Sequence, residues 1–214
     1  MPVKVGLRYV EKWRSDFEAH IQKYEARNDK KGQIVFYGPS NFTRWSTRWG
    51  RTPLREAVLG KSGAQCCVNR GFGSSCSEHH LYYYNRMVKA LEPNVLVYSP
   101  GLGNGLSFGY TPEELWEMAQ RVIIYAKTDM PDLKIYICGT KSWRRKQEVY
   151  QKFDSWIQEF AKDFPDCTYV DISSYEPLHR EDIYDTDNVH YNDEGYKIYA
   201  DFFREILKDE LANY

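Results

Sequence analysis

Three residues of this chain have the types and the spacing that nucleophilic catalysis requires. Ser40 ends the stretch "IVFYGPS", in which an apolar run, Ile34–Tyr37, is followed by a glycine and a proline. Asp187 and His190 lie near the other end of the chain, three residues apart. A serine becomes a nucleophile when a base accepts its proton and an acid orients that base. The pattern therefore predicts a Ser40–His190–Asp187 triad, although a serine that caps a helix and an ordinary polar loop are the simpler structural alternatives.

A nucleophilic serine also needs hydrogen-bond donors for the negative charge that develops on a carbonyl oxygen. Two glycine-containing segments are candidates for this role. The first, Asn69–Ser74 ("NRGFGS"), contains glycines that allow backbone N–H groups to face a ligand. The second, Ser99–Gly105 ("SPGLGNG"), adds the side-chain amide of Asn104. Each segment is also compatible with a plain turn, because glycine and asparagine dominate turns.

The elements that must position these residues follow from the hydrophobic pattern. Five short apolar runs have the length and composition of strands buried on both faces: Gln33–Tyr37, Gln65–Val68, Asn94–Tyr98, Leu133–Cys138 and Cys167–Ile172. Helical patterns lie between and around them, including a leading helix at about 9–27. Strands that alternate with helices predict an α/β fold with a parallel, doubly wound sheet. Ligands bind beyond the carboxyl ends of such strands, where Ser40 and both glycine segments are expected to lie.

Composition narrows the classes of function. The chain has 214 residues, which predicts a single domain, 1–214, and its formal net charge of −1 gives no electrostatic case for nucleic-acid binding. No apolar run approaches membrane-spanning length, and the first residues carry charges where a secretory signal would be apolar. The five cysteines are an odd number and are expected to be reduced, buried thiols. Together these features favour a cytoplasmic protein.

Two further clusters invite functional interpretations. The stretch Cys76-Ser77-Glu78-His79-His80 resembles a set of metal ligands, but no second cluster has zinc-site spacing, so we expect a solvated helix start and no metal. Four arginines recur at helix-like spacing after Ser40 and could attract an anionic acyl group: Arg44, Arg48, Arg51 and Arg55. The alternative is a surface face whose side-chain stems cover apolar neighbours, and Pro53 argues against one unbroken helix.

Four ordered blocks resemble those of the SGNH, or GDSL-like, hydrolase superfamily: Gly38-Pro39-Ser40, Asn69–Ser74, Asn104 and Asp187-Asn188-Val189-His190. The similarity covers nearly the whole chain and is greatest to the bacterial acetylesterase-like branch. It implies a three-layer α/β/α sandwich with a five-stranded parallel sheet in flavodoxin-like order. It also implies ester hydrolysis without a metal or another cofactor. By position, Ser40 is the implied nucleophile, His190 the base and Asp187 its orienter.

The same resemblance implies an oxyanion hole, but the sequence departs from the family pattern around it. The implied donors are the Ser40 N–H, a backbone N–H of Gly73 or Ser74, and the Asn104 amide. Ser74 stands where the donor glycine is usual, so the choice between Gly73 and Ser74 stays open. The third block lacks its first glycine and its aspartate around Asn104, in a longer loop. In the first block, Pro39 replaces an aspartate.

The sequence therefore predicts a serine esterase that hydrolyses a short acyl ester, such as an acetyl ester of a carbohydrate, with a small molecule or a carbohydrate as substrate. Lysophospholipids and thioesters remain open as substrates. A non-catalytic carbohydrate-binding or scaffold protein of the same fold, or an acyltransferase, is the alternative function. The sequence predicts no oligomeric state.

Overall fold

The sheet that organises the molecule has five parallel strands. The structure is a computed structural model that describes residues 10–141 and 147–214, with side chains from residue 15 onward. The strands are β1 (Ile34–Gly38), β2 (Cys67–Gly71), β3 (Val95–Tyr98), β4 (Lys134–Cys138) and β5 (Cys167–Val170). They pair in the order β2-β1-β3-β4-β5, and every pairing is parallel. The predicted flavodoxin-like order is confirmed.

Helices surround this sheet. In the described part of the chain, the α-helices are α1 (Val10–Glu25), α2 (Ser40–Thr43), α3 (Leu54–Ala57), α4 (Ser77–Met87), α5 (Leu102–Ser107), α6 (Pro112–Asp129), α7 (Glu148–Asp163), α8 (Asp193–Ile206) and α9 (Lys208–Leu211). Short 3₁₀ turns lie at Thr47–Trp49, Lys89–Leu91 and Glu176–Leu178. Helix α1 agrees with the predicted leading helix, whose first residue, Tyr9, lies outside the described residues.

The three layers follow from the alternation of side chains along each strand. In β1, Val35 and Tyr37 belong to an apolar cluster formed with α1, α4, α6 and α7. Ile34 and Phe36 point to the opposite face, into a second cluster formed with α3 and α8. Because both faces of the sheet are covered, the central strands β1 and β3 are buried along their whole length. The predicted α/β/α sandwich is confirmed.

Strand β2 lies later in the sequence than predicted. The apolar pattern placed it at Gln65–Val68, whereas the strand continues through Asn69 and Arg70 and ends opposite Gly38. These polar residues are compatible with a buried strand because each has a partner. The Asn69 side chain donates to the Phe42 carbonyl at 2.7 Å, and Arg70 lies 3.1 Å from the Asp29 carboxylate. The assignment of both residues to a loop was therefore wrong.

Two glycines let α2 begin close against the sheet. A Cβ on Gly71 would lie 2.5 Å from the backbone nitrogen of Thr43, and one on Gly38 would lie 2.8 Å from the Ser99 Cβ. Gly38 does not have the left-handed backbone that a sharp glycine turn would require. Gly38 stands directly before Pro39 and Ser40 because a side chain there would collide with the end of β3. Freedom of the backbone is not the reason.

The remaining structural expectations concern thiols, membranes and domains. All five cysteines are free and buried, as predicted. None of the helices in the described residues is both long and apolar enough to cross a membrane. The single domain and the cytoplasmic location stay predictions.

Candidate active site

Ser40, His190 and Asp187 lie in one line of hydrogen bonds. Ser40 is the first residue of α2, and its Oγ is 2.7 Å from Nε2 of His190. Nδ1 of His190 is 2.8 Å from Oδ2 of Asp187. An ionised carboxylate only accepts hydrogen bonds, so Nδ1 carries the ring proton and Nε2 is left to accept from the serine. The hydroxyl does not cap α2, whose N-cap is Pro39.

The loop that carries the histidine is held by the same aspartate. Oδ1 of Asp187 accepts from the backbone N–H groups of Val189 and His190, each at 2.9 Å. Asn188, between Asp187 and Val189, has a φ of +54°, which closes the turn. The two oxygens of one carboxylate thus fix the backbone and the imidazole ring together. This geometry explains why a separation of three residues suffices.

The hydrogen bonds to Asp187 keep it ionised. Burial raises the pKa of the Asp187 carboxyl, but the N–H groups of His190 and Val189 and the His190 ring lower it by more. Their combined effect holds the pKa well below that of an ordinary aspartate. Asp187 therefore presents a negative charge to His190 across the pH range in which proteins are stable.

Two arginines hold the acids of this loop, and sequence reasoning missed both contacts. Arg44 donates to Oδ2 of Asp187 at 2.8 Å and stacks 4.3 Å above the centre of the Trp49 ring. Arg51 donates to Oδ2 of Asp185 at 2.5 Å and to the Tyr191 carbonyl at 3.0 Å. Spacing along the chain did not reveal these partners because the acids lie more than a hundred residues away in sequence.

The four arginines consequently do not form one surface stripe. Arg48 and Arg55 are exposed, as the structural alternative predicted, but Arg44 and Arg51 are partly buried against the histidine loop. The chain between them is interrupted, with a 3₁₀ turn at Thr47–Trp49 and a fresh helix start after Pro53. The expected break at the proline is confirmed.

The environment of His190 suits a base. Burial lowers the pKa of His190, and the positive charges of Lys141 and Arg44 act in the same direction, whereas the hydrogen bond to Asp187 opposes them. The net pKa is below the ordinary value of 6.5. The ring is therefore neutral, and able to accept a proton, at neutral pH.

Backbone donors lie next to Ser40. The Phe72 N–H donates to the Gly38 carbonyl at 3.0 Å, which continues the β1–β2 ladder and brings the turn at Gly73 and Ser74 alongside α2. Among the described residues, the N–H groups of Ser40, Gly73 and Ser74 have no acceptor. Ser74 has a φ of +61°, a left-handed conformation that glycine adopts more easily, which explains why glycine is usual there.

Asn104 lies in the first turn of α5 and lines the same cavity as Ser40 and His190. Its Nδ2 donates to the Ser75 carbonyl at 2.8 Å. An amide nitrogen has two N–H donors, and the second has no acceptor in the described part of the chain. The bond to Ser75 thus orients the amide and leaves one donor for a ligand.

The cavity at this edge of the sheet has a volume of about 220 Å³. Besides the residues above, it is lined by side chains from the loop after β4 and from α7: Cys138, Thr140, Lys141, Tyr150, Phe153 and Asp154. Asp154 accepts hydrogen bonds from the N–H and the hydroxyl of Thr140 at 2.9 to 3.1 Å. Burial raises the pKa of Asp154 to about 6. Gly73 and Ser74 do not line this cavity.

A second serine–histidine pair lies below the candidate site. Oγ of Ser75 is 2.9 Å from Nε2 of His80, and both residues are fully buried. The Ser75 hydroxyl donates to the Phe72 carbonyl at 2.7 Å, so its own proton is already committed. Burial also holds the pKa of His80 well below its ordinary value. This pair packs the interior and has no access to a substrate.

The expected solvated helix start at Cys76–His80 is wrong, because α4 begins inside the protein. Every residue of this stretch is fully buried, and the His79 ring contacts Phe17 of α1 with ring centres 4.7 Å apart. Ligand atoms of Cys76, Glu78 and His79 lie within 4.8 Å of one another, close enough to surround an ion. However, Nδ1 of His79 accepts from the Cys76 N–H at 3.2 Å, in a capping box of α4. The cap accounts for this geometry.

Comparison with known proteins finds one family model that matches part of the chain. A model of the GDSL-like lipase/acylhydrolase family matches residues 104–203, a range that includes Asn104, Asp187 and His190, while Ser40 precedes it. A sequence search of curated proteins gives no match.

Solved structures share the fold at low sequence identity. A GDSL-like lipase of Bacteroides thetaiotaomicron is 18% identical, with a TM-score of 0.61 over 95% of this chain and 98% of that one. The psychrotrophic esterase EstA of a Pseudoalteromonas species is 12% identical, with a TM-score of 0.66 over 85% and 99%. The acetyl xylan esterase AlAXEase is 18% identical, with a TM-score of 0.68 over 82% and 99%.

The family match covers the last two site blocks, and the shared fold brings Ser40 to the same edge of the sheet. Residues 104–203 of this chain thus match the GDSL-like lipase/acylhydrolase family model, and the chain shares the fold of these esterases; both findings support a carboxylic ester hydrolase.

Proposed function

We propose that this esterase acts through Ser40 as nucleophile, His190 as general base and Asp187 as the orienting acid. The observation that carries the proposal is the line of hydrogen bonds Ser40 Oγ–His190 Nε2–Asp187 Oδ2, with distances of 2.7 and 2.8 Å. Ser40 stands at one end of this line and borders a cavity, so the carbonyl carbon of an ester has access to its Oγ. A non-catalytic scaffold would have no use for this ordered arrangement.

The reaction proceeds in two halves. As Oγ of Ser40 forms a bond to the ester carbon, its proton passes to Nε2 of His190, and the carbonyl oxygen becomes an oxyanion. The bond to the leaving alcohol then breaks, and His190 returns the proton to that alcohol. A water molecule next attacks the acyl-serine, with His190 again accepting a proton, and release of the acid restores Ser40.

The oxyanion is held by the Ser40 N–H, a backbone N–H of Gly73 or Ser74, and the Asn104 amide. Two observations support this set. The backbone groups next to Ser40 lack acceptors in the described residues, and one Asn104 N–H is likewise left over after the bond to Ser75. Donors fixed before the reaction stabilise the transition state without a cost of reorganisation.

The substrate is a short acyl ester, and an acetyl ester of a carbohydrate fits the cavity best. A volume of about 220 Å³ is below the range of 300 to 1,000 Å³ that is usual for drug-sized ligands. Thr140 and Asp154 follow β4, two strands from β1 and therefore about 10 Å from the nucleophile strand. That separation suits a sugar ring whose hydroxyl groups reach a carboxylate while its ester reaches Ser40.

The test is hydrolysis of acetylated monosaccharides and acetylated xylo-oligosaccharides, followed by product analysis. We expect free acetate from the wild type and none above background from Ser40→Ala. Transfer of the acetyl group to a second sugar, in preference to water, would identify an acyltransferase that uses the same triad. Binding of the sugars without turnover by the wild type would instead establish the scaffold function and exclude the proposal.

A further inference from the structure

A second, larger cleft lies between α1 and the segment that follows α2. Its volume is about 580 Å³, and none of its lining residues lines the cavity at Ser40. Helix α1 contributes His20 and Lys23 to one wall, and Arg27 follows directly after the helix. The segment 47–55 contributes Arg48 and Arg55. The esterase reaction makes no use of this cleft.

Most positive charges of the cleft have no neutralising partner in the part of the chain that the structure describes. Within the described residues, Lys23, Arg27 and Arg48 have no carboxylate within ion-pair distance, and Arg55 has only Glu56 at 3.9 Å. The lining carboxylate Asp29 is already engaged by the buried Arg70 at 3.1 Å. Because the whole chain has a formal charge of −1, this excess of cations is local to the cleft.

Charges from both walls act on the same space. Burial lowers the pKa of His20, and Lys23, Arg27 and Arg48 lower it further by repulsion. Lys23 belongs to α1, Arg27 follows the end of α1, and Arg48 belongs to the 3₁₀ turn at Thr47–Trp49, so their fields overlap within the cleft. Cations that repel one another at close range are stabilised when an anion lies between them.

The floor of the cleft is aromatic. Tyr24 and Trp45 are buried, with 3% and 1% of their surfaces exposed, and the Arg27 guanidinium lies 4.6 Å from the centre of the Tyr24 ring.

We propose that this cleft binds a ligand that carries two or more phosphate or sulfate groups. Arginine and lysine side chains donate hydrogen bonds and accept none, which matches the oxygens of such groups. One oxyanion reaches Lys23 and Arg27, and a second is needed to engage Arg48 on the facing wall. The site is independent of the triad, so the proposal does not rest on the proposed catalytic roles.

Calorimetric titration in a buffer free of phosphate and sulfate tests the proposal. The probes are tripolyphosphate, a trisulfated heparin disaccharide and orthophosphate. We expect at least one multivalent probe to bind about tenfold or more tightly than orthophosphate. Preference for tripolyphosphate or for the disaccharide distinguishes phosphate from sulfate ligands. Equal and weak titration by all three probes would overturn the proposal.

A matched pair of variants locates the binding. Arg27→Gln/Arg48→Gln should weaken binding of the preferred probe about tenfold or more, because two charge-assisted contacts are lost. The control Lys61→Gln/Lys162→Gln removes the same charge from exposed positions outside the cleft and should leave the affinity within about twofold. Arg27→Lys/Arg48→Lys should retain binding, which separates charge from folding. Equal losses in both Gln pairs would show non-specific attraction and contradict a site.

Discussion

At the scale of the residue, the function of Asp187 depends on the separate use of its two oxygens. Oδ1 holds the backbone of the loop, while Oδ2 accepts from His190 and from Arg44. Arg44 thus shares an oxygen with the proposed base. The arginine keeps the carboxylate in place, and its charge also makes a protonated His190 less stable. Both effects act on the same step of the reaction.

The first prediction concerns pH. Neutral His190 accepts the serine proton, so kcat/KM should rise as the pH increases through the pKa of His190 and then level off. Because burial, Lys141 and Arg44 lower that pKa, the midpoint should lie below 6.5. Substitution Arg44→Gln removes one of the lowering charges and should move the midpoint to higher pH.

A pH–rate profile of each variant checks this prediction. Arg121→Gln is the control, since Arg121 pairs with Glu117 on the exposed face of α6 and should leave the midpoint unchanged. A midpoint that moves to lower pH in Arg44→Gln would show that the arginine acts on another group. A lower kcat/KM with an unchanged midpoint would mean that Arg44 only supports the loop that carries His190.

The second prediction concerns Asn104. If its free N–H stabilises the oxyanion, Asn104→Ala should lower kcat by roughly 10²–10³-fold with little change in KM. Asn104→Asp keeps the shape of the side chain but removes the donor, and should lose at least as much. Ser107→Ala, on the same helix, removes a hydroxyl that donates to Gly103 and should keep the wild-type kcat. Near wild-type kcat in Asn104→Ala would leave the oxyanion to backbone donors alone.

At the scale of the element, the start of α2 is positioned by the ends of β1, β2 and β3. Gly71 lies opposite Gly38 in the ladder, and α2 crosses directly above it. The Asn69 side chain adds a bond from β2 to the Phe42 carbonyl in α2. The position of Ser40 therefore depends on residues of a neighbouring strand that never contact the substrate.

The third prediction tests this dependence. In Gly71→Ala the new methyl would lie 2.5 Å from the Thr43 nitrogen, so α2 must shift, at a cost of about 1–3 kcal/mol in the free energy of unfolding. Esterase kcat should fall with it, because Ser40 moves relative to His190. Thermal denaturation and kinetics of the same preparation measure both effects. Gly73→Ala is the stability control, since a Cβ there meets nothing within 4 Å. An unchanged melting temperature in Gly71→Ala would refute the close approach.

Elements were more predictable from the sequence than their polar contacts. Five buried strands are visible because each is a short apolar run, and the Asp187 and His190 spacing is readable because both belong to one turn. Arg44 and Ser75 were not recognised, because their partners are set by the folded chain and not by local spacing. The polar Asn69 also hid the true end of β2, since a buried amide with partners cannot be told from a loop residue by hydropathy.

At the scale of the whole molecule, the layered fold separates two recognition surfaces. The carboxyl ends of the strands bear the small cavity at Ser40, whereas the larger basic cleft lies along α1. The cavity at Ser40 and the basic cleft share no lining residues. The size of the ester that the enzyme accepts should therefore be limited by the cavity at Ser40 alone.

The fourth prediction follows from the size of that cavity. The specificity constant kcat/KM for p-nitrophenyl esters should be greatest for acetate or butyrate and should fall by about tenfold or more at octanoate and decanoate, since long chains cannot be buried in about 220 Å³. A series measured below the critical micelle concentration avoids aggregation of the longer esters. A rate that rises steadily with chain length would contradict a short-acyl site.

The central claim, that Ser40 is the activated nucleophile, is tested most directly by labelling with a fluorophosphonate probe and mapping the adduct by mass spectrometry. Ser75 is an internal control, because it also lies beside a histidine but is fully buried with its proton committed. We predict one adduct per chain, on Ser40, and none in a folded Ser40→Ala sample. The absence of an adduct in the folded wild type, or an adduct on another serine, would contradict the account.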